Sequence, residues 1–441
     1  MNVTAIVAPV KGNFYLKISI YSGFGHFSPK SLVKITRCLH ICHFPVRSHF
    51  PLLLTTYLLA CLWLGFRSWQ ALPRRRWLRN LWPAFIAALT FSFMIGMLLR
   101  FAGLWEPLAR FCWLAGGVWL VTLPYWCLIT FAFELVRIAV HLRPSLVPPK
   151  LRQNPQRVRA LALLGSVLLV ILIFTVGYVR FLHPQVTRVA IHIDKPAIFS
   201  SPAPSSVPSP ALPQPLRVAF AADLHIGDII GKKRTADYVR RINALNPDLI
   251  LLAGDLLDNG LAPLVEQDIG AELAKLRAPF GVYAVLGNHE TYSGADDCAA
   301  YFNRHGIRIL RDEAVALAGG ALWLAGRNDA TLRTRKPLPD LLADAGIDRT
   351  RPLILLDHQP RDLAASAAAG VDLQLSGHTH NGQVWPINLI VARLYEVARG
   401  YARRGDFQIY VTSGLGLWGL PARIGTTSET VDLEIGFRHL P

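Results

Sequence analysis

The sequence predicts an α/β domain carried on an all-α bundle of four membrane-spanning helices. Three observations predict it. Four long uncharged apolar runs lie between residues 51 and 179, short apolar strands alternate with amphipathic helices after residue 216, and the two halves differ sharply in charge. Hydrophobic residues make up 52% of the 441-residue chain, and the mean hydropathy of +0.32 is too apolar for an ordinary soluble protein.

The apolar runs are PLLLTTYLLACLWLGF (51–66), PAFIAALTFSFMIGMLL (83–99), FCWLAGGVWLVTLPYWCLITFAF (111–133) and ALALLGSVLLVILIFTVGYV (160–179). Each is about as long as a helix needs to cross a bilayer core, and four in 130 residues would demand a far larger soluble core than this chain has. Pro124 is expected to kink the third run, a break that packed helices tolerate. No Asp, Lys or His inside the runs marks a transport path.

A formal net charge of +17 would suit a nucleic-acid binder, but the charge is not spread evenly. Residues 1–195 hold 22 Lys and Arg against 3 Asp and Glu, whereas residues 196–441 hold 24 against 26. The basic excess therefore flanks the membrane segments, and neither a nucleic-acid nor a protein partner is inferred. Arg67, Arg74, Arg75, Arg76 and Arg79 fill the first loop. Arg137, Arg143, Lys150, Arg152, Arg157 and Arg159 mark the third, and the second has only Arg100 and Arg110 beside Glu106. Positive-inside bias puts the first and third loops in the cytoplasm and both chain ends outside, although the six basic residues before the first run oppose it. The expected protein is multi-pass, with its C-terminal domain on the periplasmic or outer face.

Residues 1–48 show no clear period and do not read as a cleavable signal peptide. They are either disordered or no part of the functional protein. CLHICH (38–43) lacks a second ligand pair at finger-like spacing, so it is not read as a zinc site. The six cysteines are scattered and imply no disulfide framework. Residues 49–182 form the transmembrane region. Residues 183–215 hold a strand, TRVAIHID (187–194), and a Pro/Ser-rich spacer. Residues 216–441 form the α/β domain.

In that domain the expected strands are 216–223, 248–255, 281–288, 321–328, 352–358, 371–377 and 407–414, and the expected helices are 234–245, 262–276, 295–304 and 361–369. This alternation predicts sheet inside and helices outside. Five strands deliver polar groups where they end: Asp223 and His225; Asp255, then Asp258; Asn288 and His289; Asp357 and His358; His378 and His380. In open α/β sheets such ends converge on one crevice. In an extended backbone the i, i+2 pairs could each reach one locus, and adjacent Asn288 and His289 should diverge. Taken singly, each of these motifs is ordinary turn chemistry. The ordered set points instead to a mixed oxygen and nitrogen donor set for Mn, Fe, Zn or Co, with enough ligands for two ions sharing a carboxylate.

AADLHIG, LLAGDLLD, VLGNHE, LLDHQP and SGHTHNGQ together resemble the calcineurin-like metallophosphoesterases, whose pattern is DxH, GDxxD, GNH[ED], an isolated His and GHxH. The resemblance covers residues 216 to about 435 and is greatest to the membrane-tethered branch, through TSGLGLWGLPARIGTTSETVDLEI (412–435). It implies a four-layer α/β/β/α sandwich with a two-metal centre. Asp223, His225 and His380 would hold one divalent ion and Asn288, His358 and His378 the other, with Asp255 bridging. His289 would be catalytic, near the leaving group. Asn381 replaces the glycine common in this branch, so a small change in turn geometry is expected.

The implied activity is hydrolysis of a phosphomonoester, a phosphodiester or a lipid-linked pyrophosphate by a metal-bridging hydroxide. His289, as a cation, would stabilise the phosphoryl oxygens or protonate the leaving group. Asp258 and Asp357 would either orient ligands or serve as simple helix caps. Arg403, Arg404 and Arg423 either grip phosphate or are surface charge. The competing expectation is a non-catalytic membrane sensor or scaffold built on a metal-binding domain of this kind.

Overall fold

The computed structural model describes residues 2–10, 13–21, 50–146, 148, 153–197, 212–213, 215–419 and 421–438. Two units are distinguished, Met1–Thr56 and Tyr57–Pro441. In the first, β1 (Asn2–Val10) and β2 (Asn13–Tyr21) pair antiparallel, with Asn2 opposite Tyr21 and Val10 opposite Asn13. Both runs are rich in β-branched or aromatic residues, which favour strands. CLHICH and most of the Pro/Ser-rich spacer lie outside the described residues.

The apolar runs form α1 (Phe50–Ala71), α2 (Arg76–Phe101), α3 (Glu106–Leu142) and α4 (Pro155–Leu182). All four are long and apolar enough to cross a membrane. Large side chains such as Leu62, Phe111 and Leu172 remain exposed on them, as expected of surfaces that meet lipid. α3 continues through Pro124 as one helix.

Polar ties join the helices. Trp126 Nε1 donates to Ser166 Oγ at 2.9 Å, and Arg67 pairs with Glu134. Gln156 Nε2 donates to Leu72 O at 2.8 Å, so the first and third loops share one end of the bundle.

Gly116 lets α2 and α3 approach closely, because a Cβ there would run into the Phe93 backbone. Gly116→Leu is therefore expected to cost about 1–3 kcal/mol through overpacking. Its check is a lower thermal midpoint in detergent. Gly165→Leu should leave the midpoint unchanged, since nothing lies within 4 Å of a Cβ there.

After α4 the chain enters the head directly through β3 (Gln185–Ile193), followed by β4 (Leu216–Ala221), α5 (Lys232–Asn243), β5 (Leu249–Ala253), α6 (Ala262–Glu266), α7 (Gly270–Leu273), β6 (Val282–Val285), α8 (Asn288–Arg304) and β7 (Arg308–Ile309). Then come β8 (Glu313–Leu317), β9 (Leu322–Gly326), α9 (Leu338–Asp344), β10 (Leu353–Leu356), α10 (Leu363–Ala368), β11 (Leu373–Ser376), α11 (Ile387–Leu394), β12 (Gly400–Arg404), β13 (Phe407–Val411) and β14 (Glu429–Phe437).

They build two six-stranded sheets, ordered β3-β14-β4-β5-β6-β7 and β12-β13-β11-β10-β9-β8. Alternate residues of each strand face opposite ways. Val218, Phe220 and Leu251 meet Leu324, Ile354 and Leu375 between the sheets. Ala219 and Ile250 face Tyr238 and Phe302 on the helices of one outer layer, and Leu355 and Ile409 face Leu341 and Leu363 on the other. The result is a four-layer α/β/β/α sandwich.

The expected helix 262–276 is instead α6 and α7, separated by Asp268 with φ +50°. The helix expected at 295–304 starts at Asn288 and bends at Gly294, which puts two of the expected site residues in its first turn.

Candidate metal centre

β4, β5 and β6 are parallel neighbours, as are β10 and β11, so the loops after them emerge on the same side. These loops are tightly wound. Asp223, His225, Asp255, His378 and His380 all have φ between +47° and +71°, a conformation that costs a non-glycine residue of order 1–3 kcal/mol. Strain concentrated on five of the seven expected ligands marks where the fold sacrifices local comfort for side-chain placement. Gly254, with φ +83°, packs so closely that a Cβ would sit 2.7 Å from His358 Nδ1. Asn381 adopts φ +49°, which asparagine tolerates better than most side chains, so the turn survives the replacement of glycine.

Two groups of side chains result. Asp223, His225 and His380 offer ligand atoms within 4.8 Å of one another, and so do Asp255, His358 and His378. His225 Nε2 and His380 Nε2 are 3.0 Å apart. His358 Nε2 lies 3.2 Å from His378 Nδ1, 3.2 Å from Asn288 Oδ1 and 3.2 Å from Asp255 Oδ2. Asp255 Oδ2 also lies 3.8 Å from His225 Nε2, between the groups. His378 and His380 thus part to different groups, because their backbone is left-handed where an extended one was expected. Asn288 and His289 diverge as expected, toward His358 and toward His225 respectively. His225, Asp258 and His289 form a third close set.

Two backbone carbonyls fix rings of the cluster. The His358 Nδ1–H donates to Ala253 O at 2.7 Å, leaving Nε2 for the cluster. The His289 Nδ1–H likewise donates to Asp258 O at 2.5 Å. Asp258 Oδ1 faces His225 Nδ1 at 3.5 Å. Asp258 does not cap α6, whose first turn follows Leu261. Asp357 is buried and paired with Arg327 and Arg335, which anchors the loop carrying His358.

Two important residues play parts that the sequence did not assign to them. Glu290 is fully buried and accepts the N–H groups of Asp255, Leu257 and Gly287 at 3.1, 2.8 and 2.7 Å, binding the second and third loops together. Its place three residues after Gly287 in a helix start was the available signal. Arg423 is 0% exposed and donates to the carbonyls of His380, Gly414 and Gly416 at 3.1, 3.2 and 2.5 Å. The surface-charge reading therefore fails for Arg423, whose two Nη groups donate to backbone. Arg403 and Arg404 are exposed, with Arg404 paired to Glu396.

Burial pushes Asp223 up to about 6, with the charge of Asp255 adding to it. Burial likewise pushes Glu290 up to about 7. Asp255 resists burial and is held well below the usual carboxylate range by His358 and His225. Burial and the neighbouring His358 drive His378 down to about 3. Burial lowers His289, against the cationic form expected of it. Buried carboxylates, an amide oxygen and imidazole nitrogens converge at 3.0–3.8 Å, with no thiolate among them. Such a set suits hard or borderline divalent cations, and the residues present fit two of them.

The family model for calcineurin-like phosphoesterases matches residues 216–382. An uncharacterized metallophosphoesterase of Aquifex aeolicus is 32% identical over 225 residues, which is 50% of this chain and 85% of that protein. The chain belongs to the calcineurin-like phosphoesterase family. Another uncharacterized metallophosphoesterase, from Helicobacter pylori, is 31% identical over 264 residues, 58% of this phosphoesterase chain and 65% of its own. A Bos taurus relative described as a transmembrane protein with metallophosphoesterase domain is 32% identical over 240 residues, 49% of this chain and 52% of its own. The chain thus spans about two thirds or less of these last two relatives. The family's phosphoesterase domain is here joined to four helices long and apolar enough to cross a membrane.

Proposed function

We propose that this protein is a membrane-anchored phosphoesterase that works with two divalent ions on the extracytoplasmic face. The observation that carries the reading is the convergence of seven donor side chains from five strand ends into one buried cluster. Asp223, His225 and His380 would hold one ion and Asn288, His358 and His378 the other, with Asp255 between them. When bound, such ions supply acidity to water and neutralise charge on phosphoryl oxygens.

The chain's own groups do the rest. The hydrogen bond to Asp258 O fixes His289 with Nε2 turned inward, 4.0 Å from Asp255 Oδ2. An uncharged ring can take a proton at that nitrogen and return it to the departing oxygen. Asp258 orients His225, and Glu290 holds the loops that present Asp255 and Asn288. Placement outside the cytoplasm is supported by Arg100 and Arg110, which reach Asp228 of the head from the end of the bundle opposite the two basic loops. Residues 49–182 then serve as anchor and residues 216–441 as head.

Purified full-length protein supplied with Mn²⁺ is expected to carry two metal ions per chain by elemental analysis and to hydrolyse bis-p-nitrophenyl phosphate. Dialysis against EDTA should remove both properties, and Mn²⁺ should restore them. Metal-loaded protein inert toward a broad ester panel would establish the sensor or scaffold instead, and protein that binds no metal would refute both.

A further inference from the structure

Four residues after His380 the chain passes through Val384 and Trp385 into α11, where the exposed side chains are unlike those of a soluble surface. Ile387, Leu389, Ile390 and Leu394 are 45%, 48%, 57% and 72% exposed, and Trp385 just before them is 44% exposed. An exposed apolar patch of this kind marks an interaction surface. Its position in the fold identifies the partner.

The Tyr125 hydroxyl of α3 donates to the Trp385 carbonyl. Arg100 and Arg110 mark the head-facing end of the bundle, through their contacts with Asp228. From Arg110 to Tyr125 is about 22 Å along the helix axis, and a helical side chain leans back toward the N-terminus. The Trp385 carbonyl therefore lies roughly 15 Å below the arginine level, within a hydrocarbon core of about 30 Å.

The segment bridged to Val384 also reaches the bundle. Ile424 packs into the helix-bundle core, and the Arg423 N–H donates to Gly177 O at 2.9 Å. Trp385 N–H in turn donates to Ile424 O at 2.7 Å. A carbonyl at that depth needs a donor from protein, and Tyr125 supplies one.

At its far end α11 meets a cleft of about 460 Å³, whose walls include Pro360, Arg361, Leu394 and Tyr395. The Tyr395 ring stands 6.0 Å from that of His378, and the Arg361 guanidinium lies 6.0 Å from Tyr395. Tyr395 thus stands between the cleft and His378, and Arg361, Asp362 and Glu396 lie on the cleft wall.

We propose that residues 385–394 are a second, non-spanning membrane element, seated in the leaflet next to the head, and that the cleft admits a phosphoester lipid sideways from that leaflet. Phosphate would lie at the donor cluster, and acyl chains would leave past Leu394 into the bilayer. The seating stands on geometry alone, whereas the lipid substrate rests on the phosphoesterase reading.

The test uses full-length protein in dioleoylphosphatidylcholine nanodiscs, cysteine-free except for Ile390→Cys labelled with an environment-sensitive NBD fluorophore. Emission is expected to be blue-shifted and quenched by doxyl-labelled lipid, as for a label at Leu172→Cys on α4, with no quenching at Ala364→Cys on α10. Emission at position 390 that matches position 364 overturns the seating. For the substrate class, dihexanoyl phosphatidic acid below its micelle concentration should inhibit bis-p-nitrophenyl phosphate hydrolysis at least about tenfold more tightly than glycerol 3-phosphate, and Leu394→Glu should abolish that preference. Equal inhibition by the two competitors overturns the lipid assignment. Absence of any hydrolysis refutes the phosphoesterase reading itself, and the label at 390 still decides the seating.

Discussion

Asp255→Asn is expected to lower kcat on bis-p-nitrophenyl phosphate by at least about 10²–10³-fold, the loss typical when a charge-stabilising group is removed from a water-excluded site. Bound metal should fall from two ions per chain toward one. Asp255 stands between the two donor groups, with Oδ2 3.2 Å from His358 Nε2 and 3.8 Å from His225 Nε2. Its other oxygen accepts the His289 N–H at 3.0 Å. Asparagine preserves the shape and the acceptor but deletes the charge, and it would turn an N–H₂ toward one cation. Elemental analysis beside steady-state kinetics checks the result, and a variant with unchanged metal content contradicts the bridging position.

Arg423→Met is expected to lower the thermal midpoint of the head by about 10 °C, corresponding to roughly 3–5 kcal/mol for breaking up a buried charge network. The arginine is fully buried, and burial lowers it to about 10, with Asp223 as the largest opposing influence. It remains a cation at neutral pH and binds three carbonyls from two segments. Methionine fills similar space but leaves those carbonyls without donors and Asp223 without its neighbouring positive charge. Arg423→Lys should recover only part of the loss, since an ammonium cannot span the same fork of acceptors. Scanning calorimetry of the detergent-solubilised chain reads the shift, and a midpoint equal to wild type would show that the guanidinium carries no structural load.

Much of the head was legible because its strands advertise themselves twice. LILLA (249–253) and LILL (353–356) are apolar on both faces, as strands buried between helices and a second sheet must be, and each runs into an aspartate. The donor residues were legible for the same reason, sitting where apolar runs stop.

What was hidden depends on partners distant in sequence. Glu290 looks like one more polar residue in a helix start, and its acceptor role exists only when the loops at 255–257 and 287 fold around it. Arg423 lies 43 residues from His380, whose carbonyl it holds. The edge strands β8 and β12 were missed because an edge need not be apolar; β12 reads GYARR. α11 was missed because eight residues are too few for its period to stand out from a loop.

β3 leaves the last membrane helix and lies at the rim of its sheet, where its neighbour is β14, Gln185 facing Glu429 and Ile193 facing Phe437. Hydrogen bonding to that rim strand must therefore wait for β14 to leave the ribosome. At 5–20 residues per second, the interval between translating β3 and β14 is about 12–50 seconds. Throughout that time the anchor is complete while the head lacks its closing strand. The order of biosynthesis thus leaves the sheet unclosed after the apolar helices are made, with closure timed by the arrival of β14.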